Sequence, residues 1–400
     1  MSAGITEAEL RELDARDPLA SARSLFEVPE GMIYLDGNSL GAMPRAAPER
    51  LQALTREQWG VDLNSCWSGR GWLDLPITVG DKIARLIGAA PGEVVAGDST
   101  SVNLFKLLCA AADLRPGRRT ILTEDRNFPS DLYIAQGIER FVAGGLRVKL
   151  VPREELVGAI DDDTAVVMLT HVDFRSGYLH DMAEIGRSAA ERGALVLWDL
   201  SHSAGIYPLD VNGCGVDLAV GCGYKYFNGG PGAPAYLFVA RRHQDAMHQP
   251  LCGWLGHAQP FQFATEYRPA AGIVRMICGT PSVLGLATLD VGVDLLLGHD
   301  MAEMRRKSVA LTGAFIGLVQ QMCEGAGFEL RSPADAARRG SQVSLAHPRA
   351  ERLIAALAER RVIGDFRSPD ILRFGFAPLY VRYLDIWDAV LTLKAAVDSA

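Results

Sequence analysis

The sequence predicts an α/β protein in which a large domain with a mainly parallel mixed sheet precedes a smaller α/β C-terminal domain. The length of 400 residues is enough for two or three domains. Short β-branched apolar runs alternate with amphipathic stretches of helical period, which is the pattern of strand–helix–strand crossovers. The composition, with 48% hydrophobic and 22% charged residues, is that of a folded globular chain with a large core.

The clearest crossover lies in the middle of the chain. Residues 163–170 (DTAVVMLT) are predicted as a buried strand, residues 181–192 as an amphipathic helix and residues 194–198 (ALVLW) as the next strand. Residues 216–221 and 235–239 are predicted as further strands. Because strands joined by a helix in this way pair in parallel, these segments form the core of the large domain.

The C-terminal part has its own alternation of elements. A long helical region over residues 289–324 is followed by strand, helix, strand and helix at residues 342–346, 350–360, 371–376 and 386–396. The predicted helix over residues 6–16 has no core of its own. We therefore assign three units, which are an N-terminal segment that packs with the small domain (1–50), the large α/β domain (51–295) and the small domain (296–400).

Composition and motif searches exclude several classes. A formal net charge of −8 argues against nucleic-acid binding, and no run approaches the ~18 apolar residues of a membrane span. Seven cysteines without C-x-x-C spacing indicate neither a disulfide framework nor a zinc site, and the eight histidines lack metal-binding spacing. The acidic N-terminus carries no signal-peptide pattern, so we expect a cytoplasmic protein.

Lys225 lies in the glycine-rich segment 221–232 (GCGYKYFNGGPG), directly after a predicted strand. Glycines on both sides allow backbone or a cofactor to approach closely. A lysine amine in a partly desolvated pocket has a lowered pKa and can form a Schiff base. Taken alone, the same pattern is explained by a solvated lysine in a turn.

Asp199 and His202 follow the predicted strand 194–198 in the segment WDLSHSAG. Ligand sites of open α/β sheets form at the carboxyl ends of the strands. A carboxylate there could keep a pyridine nitrogen protonated, and the imidazole could stack on an aromatic ring. The alternative is that Asp199 caps a turn and His202 is a core histidine.

The segment 97–101 (GDSTS) directly precedes the helical pattern of residues 102–113. Hydroxyl residues in this position form a helix N-terminus, where free backbone N–H groups bind phosphate. An ordinary N-cap without a ligand explains the same residues.

The segment 127–131 (NFPSD) contains a proline that fixes a turn. This turn could present the ring of Phe128 to a flat ligand and the carboxylate of Asp131 to the ligand's polar edge. The alternative is a proline-containing loop with a phenylalanine in the core.

Together the motifs resemble the fold type I enzymes that use pyridoxal 5′-phosphate (PLP), and most closely the kynureninase family. The resemblance covers nearly the whole chain in order. It rests on residues 35–41 (LDGNSLG), 98–106 (DSTSVNLFK), 127–131, 198–205, 221–235, 253–257 (GWLGH) and 371–380 (ILRFGFAPLY). It implies a PLP-dependent transferase-like large domain, PLP as the cofactor and no metal.

The resemblance implies a role for each matching residue. Lys225 carries PLP as a Schiff base and moves protons at the substrate α-carbon, Tyr224 takes part in proton transfer, and Asp199 pairs with the pyridine nitrogen. The other cofactor contacts implied by the resemblance are Thr100, Ser101, Phe128, Pro129, Ser130, Asp131, Thr170, His202, Trp254 and Thr280.

The implied reaction is the hydrolytic cleavage of L-kynurenine, with 3-hydroxykynurenine as a further candidate substrate, to an anthranilate and L-alanine. Arg373 is expected to bind the substrate α-carboxylate, with Trp67 and Asn38 also at the substrate. Trp67, Trp72 and Thr280 are candidates for the pocket of the aryl group. Since Trp254 and Thr280 match positions that reach a neighbouring subunit, the resemblance implies a homodimer with shared active sites.

Two alternatives stay open at this point, and a third, a structural α/β protein, is rejected. A cysteine desulfurase-like enzyme shares the arrangement of aspartate, histidine and lysine, but it needs a mobile cysteine in the small domain, and no cysteine follows Cys323. A PLP-binding protein without turnover would not need the carboxylate clamp of Arg373. A structural α/β protein would require every motif to be coincidental.

Overall fold

The computed structural model describes residues 4–141 and 146–399. Its strands are β1 (Phe26–Glu27), β2 (Ile33–Tyr34), β3 (Met43–Pro44), β4 (Val94–Ala96), β5 (Thr120–Glu124), β6 (Arg147–Val151), β7 (Thr164–Thr170), β8 (Leu195–Asp199), β9 (Leu218–Gly221), β10 (Tyr236–Val239), β11 (Glu329–Leu330), β12 (Gln342–Ala346), β13 (Val362–Ile363), β14 (Asp365–Arg367) and β15 (Ile371–Gly375). Its α-helices are α1 (Glu7–Ala15), α2 (Ala46–Ala53), α3 (Cys66–Gly69), α4 (Leu75–Ile87), α5 (Thr100–Leu114), α6 (Pro129–Phe141), α7 (Met182–Glu191), α8 (Arg241–Gln244), α9 (Val283–Leu297), α10 (Met301–Met322), α11 (Ala350–Glu359) and α12 (Tyr383–Asp398).

A seven-stranded sheet forms the centre of the large domain, with the order β4-β10-β9-β8-β7-β5-β6. Strands β6, β5, β7, β8 and β9 pair in parallel, whereas β10 is antiparallel to both of its neighbours. Because β4 and β9 both run opposite to β10, the carboxyl ends of all the other strands lie at one edge. The predicted mainly parallel mixed sheet is confirmed.

Both faces of this sheet are covered, which explains why its strands are apolar without alternation. All seven residues of β7 are buried. Val166 and Met168 pack in the core that includes the apolar face of α5, while Val167 and Leu169 pack in the core that includes α7. Successive side chains of a strand point to opposite faces, so one apolar run serves both layers.

The small domain is built on a second, antiparallel sheet with the order β11-β12-β15-β14. The N-terminal part joins it, since β2 pairs in parallel with β13 and α1 packs against α12. The predicted domain limits at residues 50 and 295 stay predictions. Among the described ranges, no helix is long and apolar enough to cross a membrane, and the cytoplasmic location also stays a prediction.

The expectation of one long helical region over residues 289–324 is wrong. The chain forms two helices here, because α9 ends at Leu297 and α10 begins at Met301. Asp300 separates the two helices because it is the N-cap of α10. Its side chain accepts hydrogen bonds from the backbone N–H groups of Ala302 and Glu303. Gly298 follows the last residue of α9 and Asp300 precedes α10, so the sequence does contain the signals of a helix end and a helix start.

Candidate active site

The carboxyl edge of the large sheet gathers the predicted site segments. Strands β4, β5, β7, β8 and β9 all end at this edge. Thr170 and Asp199 are the last residues of β7 and β8, whereas Thr100, Phe128 and Lys225 follow the ends of β4, β5 and β9. The parallel register places Thr170 directly beside Asp199 on the neighbouring strand. Segments that are far apart in the chain therefore meet at one place, as ligand sites of open α/β sheets require.

Lys225 lies in a tight loop that is closed by its own backbone. The N–H of Asn228 donates to the carbonyl of Lys225 at 2.9 Å, and the N–H of Gly229 donates to the carbonyl of Gly223 at 2.9 Å. Helix α9 supports the loop from behind at Gly292, where an added Cβ would lie 1.9 Å from the carbonyl oxygen of Phe227. The glycine permits this close approach, so the loop is held between α9 and the sheet.

The amine of Lys225 contacts a buried histidine. Its Nζ lies 3.0 Å from Nε2 of His202, and the Nδ1 of His202 is buried without a hydrogen-bond partner among the described residues. Burial, together with the nearby positive charge of Lys225, lowers the pKa of His202 well below its ordinary value. The imidazole is therefore neutral, and it can accept a hydrogen bond from the ammonium of Lys225.

Two buried carboxylates face the same space. Asp131 and Asp199 are 1% and 4% exposed, and burial raises the pKa of each carboxyl while the charge of Lys225 counteracts the rise. Oδ1 of Asp199 accepts from the N–H of Ser201 at 2.8 Å. Oδ2 of Asp131 has no partner among the described residues. Buried carboxylates of this kind need a donor or a positive charge, which a protonated ring nitrogen and a ring hydroxyl would supply.

Aromatic rings flank the lysine amine. The Nζ of Lys225 lies 5.8 Å from the ring centre of Phe128 and 5.9 Å from that of Tyr224. Burial, assisted by Cys222 and Asp199, raises the pKa of Tyr224 to about 12, so its hydroxyl keeps its proton at neutral pH. A flat, partly charged cofactor fits a space bounded by these rings.

The position of Phe128 depends on two residues that the sequence analysis did not assign to the site. The side-chain oxygen of Asn127 accepts from the N–H of Phe128 at 2.8 Å and from the N–H of Thr170 at 3.3 Å. The ring of Phe174 packs edge-on against Phe128, with centroids 5.1 Å apart. Asn127 stands in the quoted segment NFPSD, whereas no sequence signal marks Phe174.

Helix α5 begins where the sequence predicts a phosphate site. The Oγ of Ser99 accepts from the N–H of Val102 at 3.3 Å and caps the helix, so that Thr100 and Ser101 occupy its first turn. Backbone N–H groups in the first turn of a helix have no partner inside the helix and point outwards. Pro129 and Ser130 likewise begin α6, whose first turn contains Asp131.

Arg373 is buried and donates four hydrogen bonds to three residues. Its Nε donates to Oδ1 of Asp365 at 2.8 Å, its Nη1 to the carbonyl of Phe174 at 2.7 Å and its Nη2 to Oγ of Ser39 at 2.8 Å and to Oδ2 of Asp365. Asp365 stands opposite Arg373 in the pairing of β14 with β15. The sequence analysis did not assign Ser39 or Asp365 to the site, although Ser39 stands in the quoted segment LDGNSLG and Asp365 lies only eight residues before Arg373.

The remaining predicted residues have other surroundings. Asn38 is buried next to Ser39, and its side-chain nitrogen donates to Oε1 of Gln342 at 3.5 Å. Trp67 packs edge-on against Trp72 with centroids 5.4 Å apart, and the roles of both rings at the substrate stay predictions.

Two predicted cofactor contacts lie at the surface of this chain. Trp254 is 39% exposed and packs edge-on against Phe261. Thr280 is exposed and lines a cavity of about 250 Å³ together with Asp98 and Lys106, beside the start of α5. Their roles at the cofactor stay predictions.

The fold and the cluster of lysine, histidine and carboxylates define a fold type I PLP-dependent enzyme. The chain is similar to the solved structure of a cysteine desulfurase from Thermococcus onnurineus NA1, with a TM-score of 0.79, 18% identity and coverage of 95% of this chain and 98% of that one. It is also similar to the cysteine desulfurase CsdA from Escherichia coli, with a TM-score of 0.77 and 19% identity. At these identities the likeness shows the fold.

Sequence relatives identify the family. Kynureninases of Burkholderia pseudomallei (strain 1106a) and Pseudomonas fluorescens are each 49% identical to this chain, over 98% of its length and 96% of theirs. Residues 304–393 match the family described as the kynureninase C-terminal domain. The chain belongs to the kynureninase family, and its cofactor is pyridoxal 5′-phosphate.

A second buried histidine, His171, directly follows the last residue of β7. The N–H of His171 donates to the carbonyl of Asp199 at 2.9 Å, and its ring packs edge-on against Trp198 and Tyr207 at 5.5 and 5.6 Å. Burial, with the nearby His180, lowers the pKa of His171 to about 3. The folded protein therefore keeps this ring neutral down to acidic pH, whereas the unfolded chain does not.

Lowering the pH should destabilise the protein through His171. An unfolded histidine binds a proton below about pH 6.5 but the folded one does not, so moving from about pH 7.5 to about pH 5 should reduce the free energy of unfolding by about 2 kcal/mol for this residue. His171→Gln should lose that part of the pH dependence in urea unfolding of the cofactor-free protein, while the surface variant His248→Gln serves as the control. An unchanged pH dependence in His171→Gln would contradict the assignment.

Proposed function

We propose that this chain is a PLP-dependent hydrolase that cleaves the Cβ–Cγ bond of L-kynurenine with water and releases anthranilate and L-alanine. The observation that carries the proposal is the contact of Lys225 with neutral His202, beside two buried carboxylates, in a chain of the kynureninase family. 3-Hydroxykynurenine is the second substrate to test. The last cysteine of the chain, Cys323, is buried at the end of α10, which gives the desulfurase alternative no support.

The site residues fit the cofactor by charge and shape. Lys225 would hold PLP through Nζ, Asp199 would face the ring nitrogen, Asp131 the polar edge and Phe128 the ring face, while Thr100 and Ser101 would bind the phosphate. When bound, PLP supplies an electron sink for the electron pair that remains at the substrate α-carbon after proton removal. The unpartnered Oδ2 of Asp131 and the buried Asp199 gain hydrogen-bonding partners in this arrangement.

The neighbours of Lys225 suit it to proton transfer. Neutral His202 accepts a hydrogen bond from Nζ at 3.0 Å without adding a second positive charge, which orients the amine. The hydroxyl of Tyr224 keeps its proton at neutral pH, so it can donate that proton next to the lysine. Lys225 Nζ would take the proton from the substrate α-carbon and return it later in the reaction.

Arg373 would bind the substrate α-carboxylate. Asp365 occupies the edge of the guanidinium formed by Nε and Nη2, and this pair fixes its plane. The substrate would use the other edge, where Nη1 and Nη2 now donate to Phe174 and Ser39. Planar, bidentate recognition of a carboxylate is the task for which an arginine is suited.

The kynurenine reaction is the direct test of the proposed function. The purified protein loaded with PLP should release anthranilate and L-alanine from L-kynurenine, with 3-hydroxy-L-kynurenine and L-cysteine as parallel substrates. Lys225→Ala should abolish turnover, and borohydride reduction should attach the cofactor to the peptide with Lys225 in the wild type only, as judged by mass spectrometry. The surface variant Lys394→Ala is the control. Turnover of L-cysteine without turnover of kynurenine would contradict the proposal.

Removing the arginine should weaken substrate binding more than chemistry. Loss of a charged hydrogen-bonding partner costs roughly 1.5–3 kcal/mol, so Arg373→Ala should raise KM for L-kynurenine about 10- to 100-fold, with a smaller change in kcat. Arg331→Ala, at an arginine that pairs with Glu329 on the surface, is the matched control. If KM were unchanged in Arg373→Ala, Arg373 would not bind the carboxylate.

We further propose that the chain forms a homodimer with shared active sites. An aromatic surface supports this proposal, because Trp254, Phe261 and Phe263 are 39%, 61% and 76% exposed in the single chain. Exposed apolar patches of this kind mark association surfaces. Sedimentation should give twice the chain mass of 43.2 kDa, and Phe263→Asp should shift the equilibrium towards the monomer. An active species with the mass of one chain would contradict the proposal.

A further inference from the structure

We propose that Lys106 is a positioning residue for the cofactor phosphate, acting through Asp98 on the loop at residues 97–101, which we call the phosphate loop. The inference rests on the proposed cofactor site, in which Thr100 and Ser101 bind that phosphate. Lys106 itself does not need to touch the cofactor. Its ammonium would hold the loop in the one conformation that directs the N-terminus of α5 at the ligand.

The ammonium of Lys106 is among the most deeply buried charges in the described chain. The residue is 1% exposed, and its Nζ lies 2.5 Å from Oδ2 of Asp98 and 2.7 Å from the carbonyl oxygen of Met276. Lys106 lies in the second turn of α5, so its side chain returns to the loop from which its own helix starts. Burying an ammonium costs free energy, which is recovered only with partners in good geometry.

The backbone of Asp98 needs such support. Its φ of +53° lies in the left-handed region, which few residues with a side chain other than asparagine and aspartate adopt. Two backbone hydrogen bonds with Ala235 hold the chain at Asp98. The N–H of Gly97 donates to the carbonyl of Ala235 at 2.7 Å, and the N–H of Ala235 donates to the carbonyl of Asp98 at 2.9 Å. The side chain of Asn103 donates to the carbonyl of Gly97 at 3.0 Å.

Asn103 and Lys106 stand three residues apart on one face of α5, and both hold the loop in front of it. The left-handed turn at Asp98 sets the direction in which the following residues enter the helix. The N–H groups of the first turn therefore point at a fixed place, as a phosphate site requires. Without the ion pair with Lys106, the strained turn would have alternative conformations, and the site would be less well organised for binding.

The same ammonium connects the phosphate loop to a second segment. Through the carbonyl of Met276 it anchors residues 276–282, which include Thr280. Residues of this segment, Asp98 and Lys106 line the cavity of about 250 Å³ at the start of α5. Lys106 therefore fixes the loop and the Thr280 segment relative to each other.

The ion pair of Lys307 with Asp17, which lies outside the proposed site, is compared with that of Lys106 with Asp98. Lys307 on α10 is also buried, and its Nζ lies 2.6 Å from Oδ2 of Asp17 and 2.6 Å from the carbonyl oxygen of Pro378. It has the same partners, one carboxylate and one carbonyl, but it joins the N-terminal segment to the small domain. Lys307→Met is therefore a matched control for the general loss of a buried ion pair.

The test compares two ligands that differ only by the phosphate. The dissociation constants of PLP and of pyridoxal, which lacks the phosphate, are measured on the full-length cofactor-free protein by absorbance titration. The ratio of the pyridoxal constant to the PLP constant reports the contribution of the phosphate. Lys106→Met and Asp98→Ala should lower this ratio by about tenfold or more, through a weaker affinity for PLP.

Lys307→Met, which lies outside the site, should keep the ratio within about twofold of the wild type. Asp98→Asn tolerates the left-handed conformation but removes the carboxylate charge that pairs with Lys106, so it should lower the ratio as Asp98→Ala does. If Lys106→Met does not fold, Asp98→Ala decides, because the Asp98 side chain is 34% exposed. Equal ratios in the wild type, Lys106→Met and Asp98→Ala would overturn the inference. A wild type that does not prefer PLP to pyridoxal would overturn the phosphate site as well, whereas kynurenine cleavage is tested separately by product release.

Discussion

The parallel pairing of the central sheet is the constraint on which the site depends. With every strand except β10 running in one direction, the loops after β4, β5, β7, β8 and β9 leave the same edge. Phosphate, ring and lysine contacts come from different loops, so no local segment could provide the whole site. The apolar runs that fill both faces of the sheet are therefore also what fixes the relative positions of Asp199, Phe128 and Lys225.

Buried charge is the second organising feature. Lys225 with Asp131 and Asp199, Arg373 with Asp365, and Lys106 with Asp98 are pairs or clusters in which at least one member is almost fully buried. Pairs of this kind give little net stability, because desolvation offsets much of the attraction. Their value lies in geometry, since each pair fixes the position of a charged side chain at the proposed site.

The fold alone does not determine the reaction. Cysteine desulfurases share the architecture at 18% or 19% identity, and their chemistry is different. What places this chain in the kynureninase family is the full-length similarity at 49% identity. Under the proposed function, Arg373 with Asp365 and Ser39 would contribute to substrate selection.

The sequence by itself determined the fold class, the strands of the central sheet and the identity of the motifs around Lys225, Asp199 and Phe128. These features are local, since periodicity, glycine-rich turns and helix caps act over a few residues. The tertiary structure alone decided the partners of the buried charges, namely Asp365 and Ser39 for Arg373 and Asp98 for Lys106. The contacts of Arg373 depend on strand register and on packing with a distant segment, and the contact of Lys106 with Asp98 depends on the left-handed turn before α5, which periodicity does not encode.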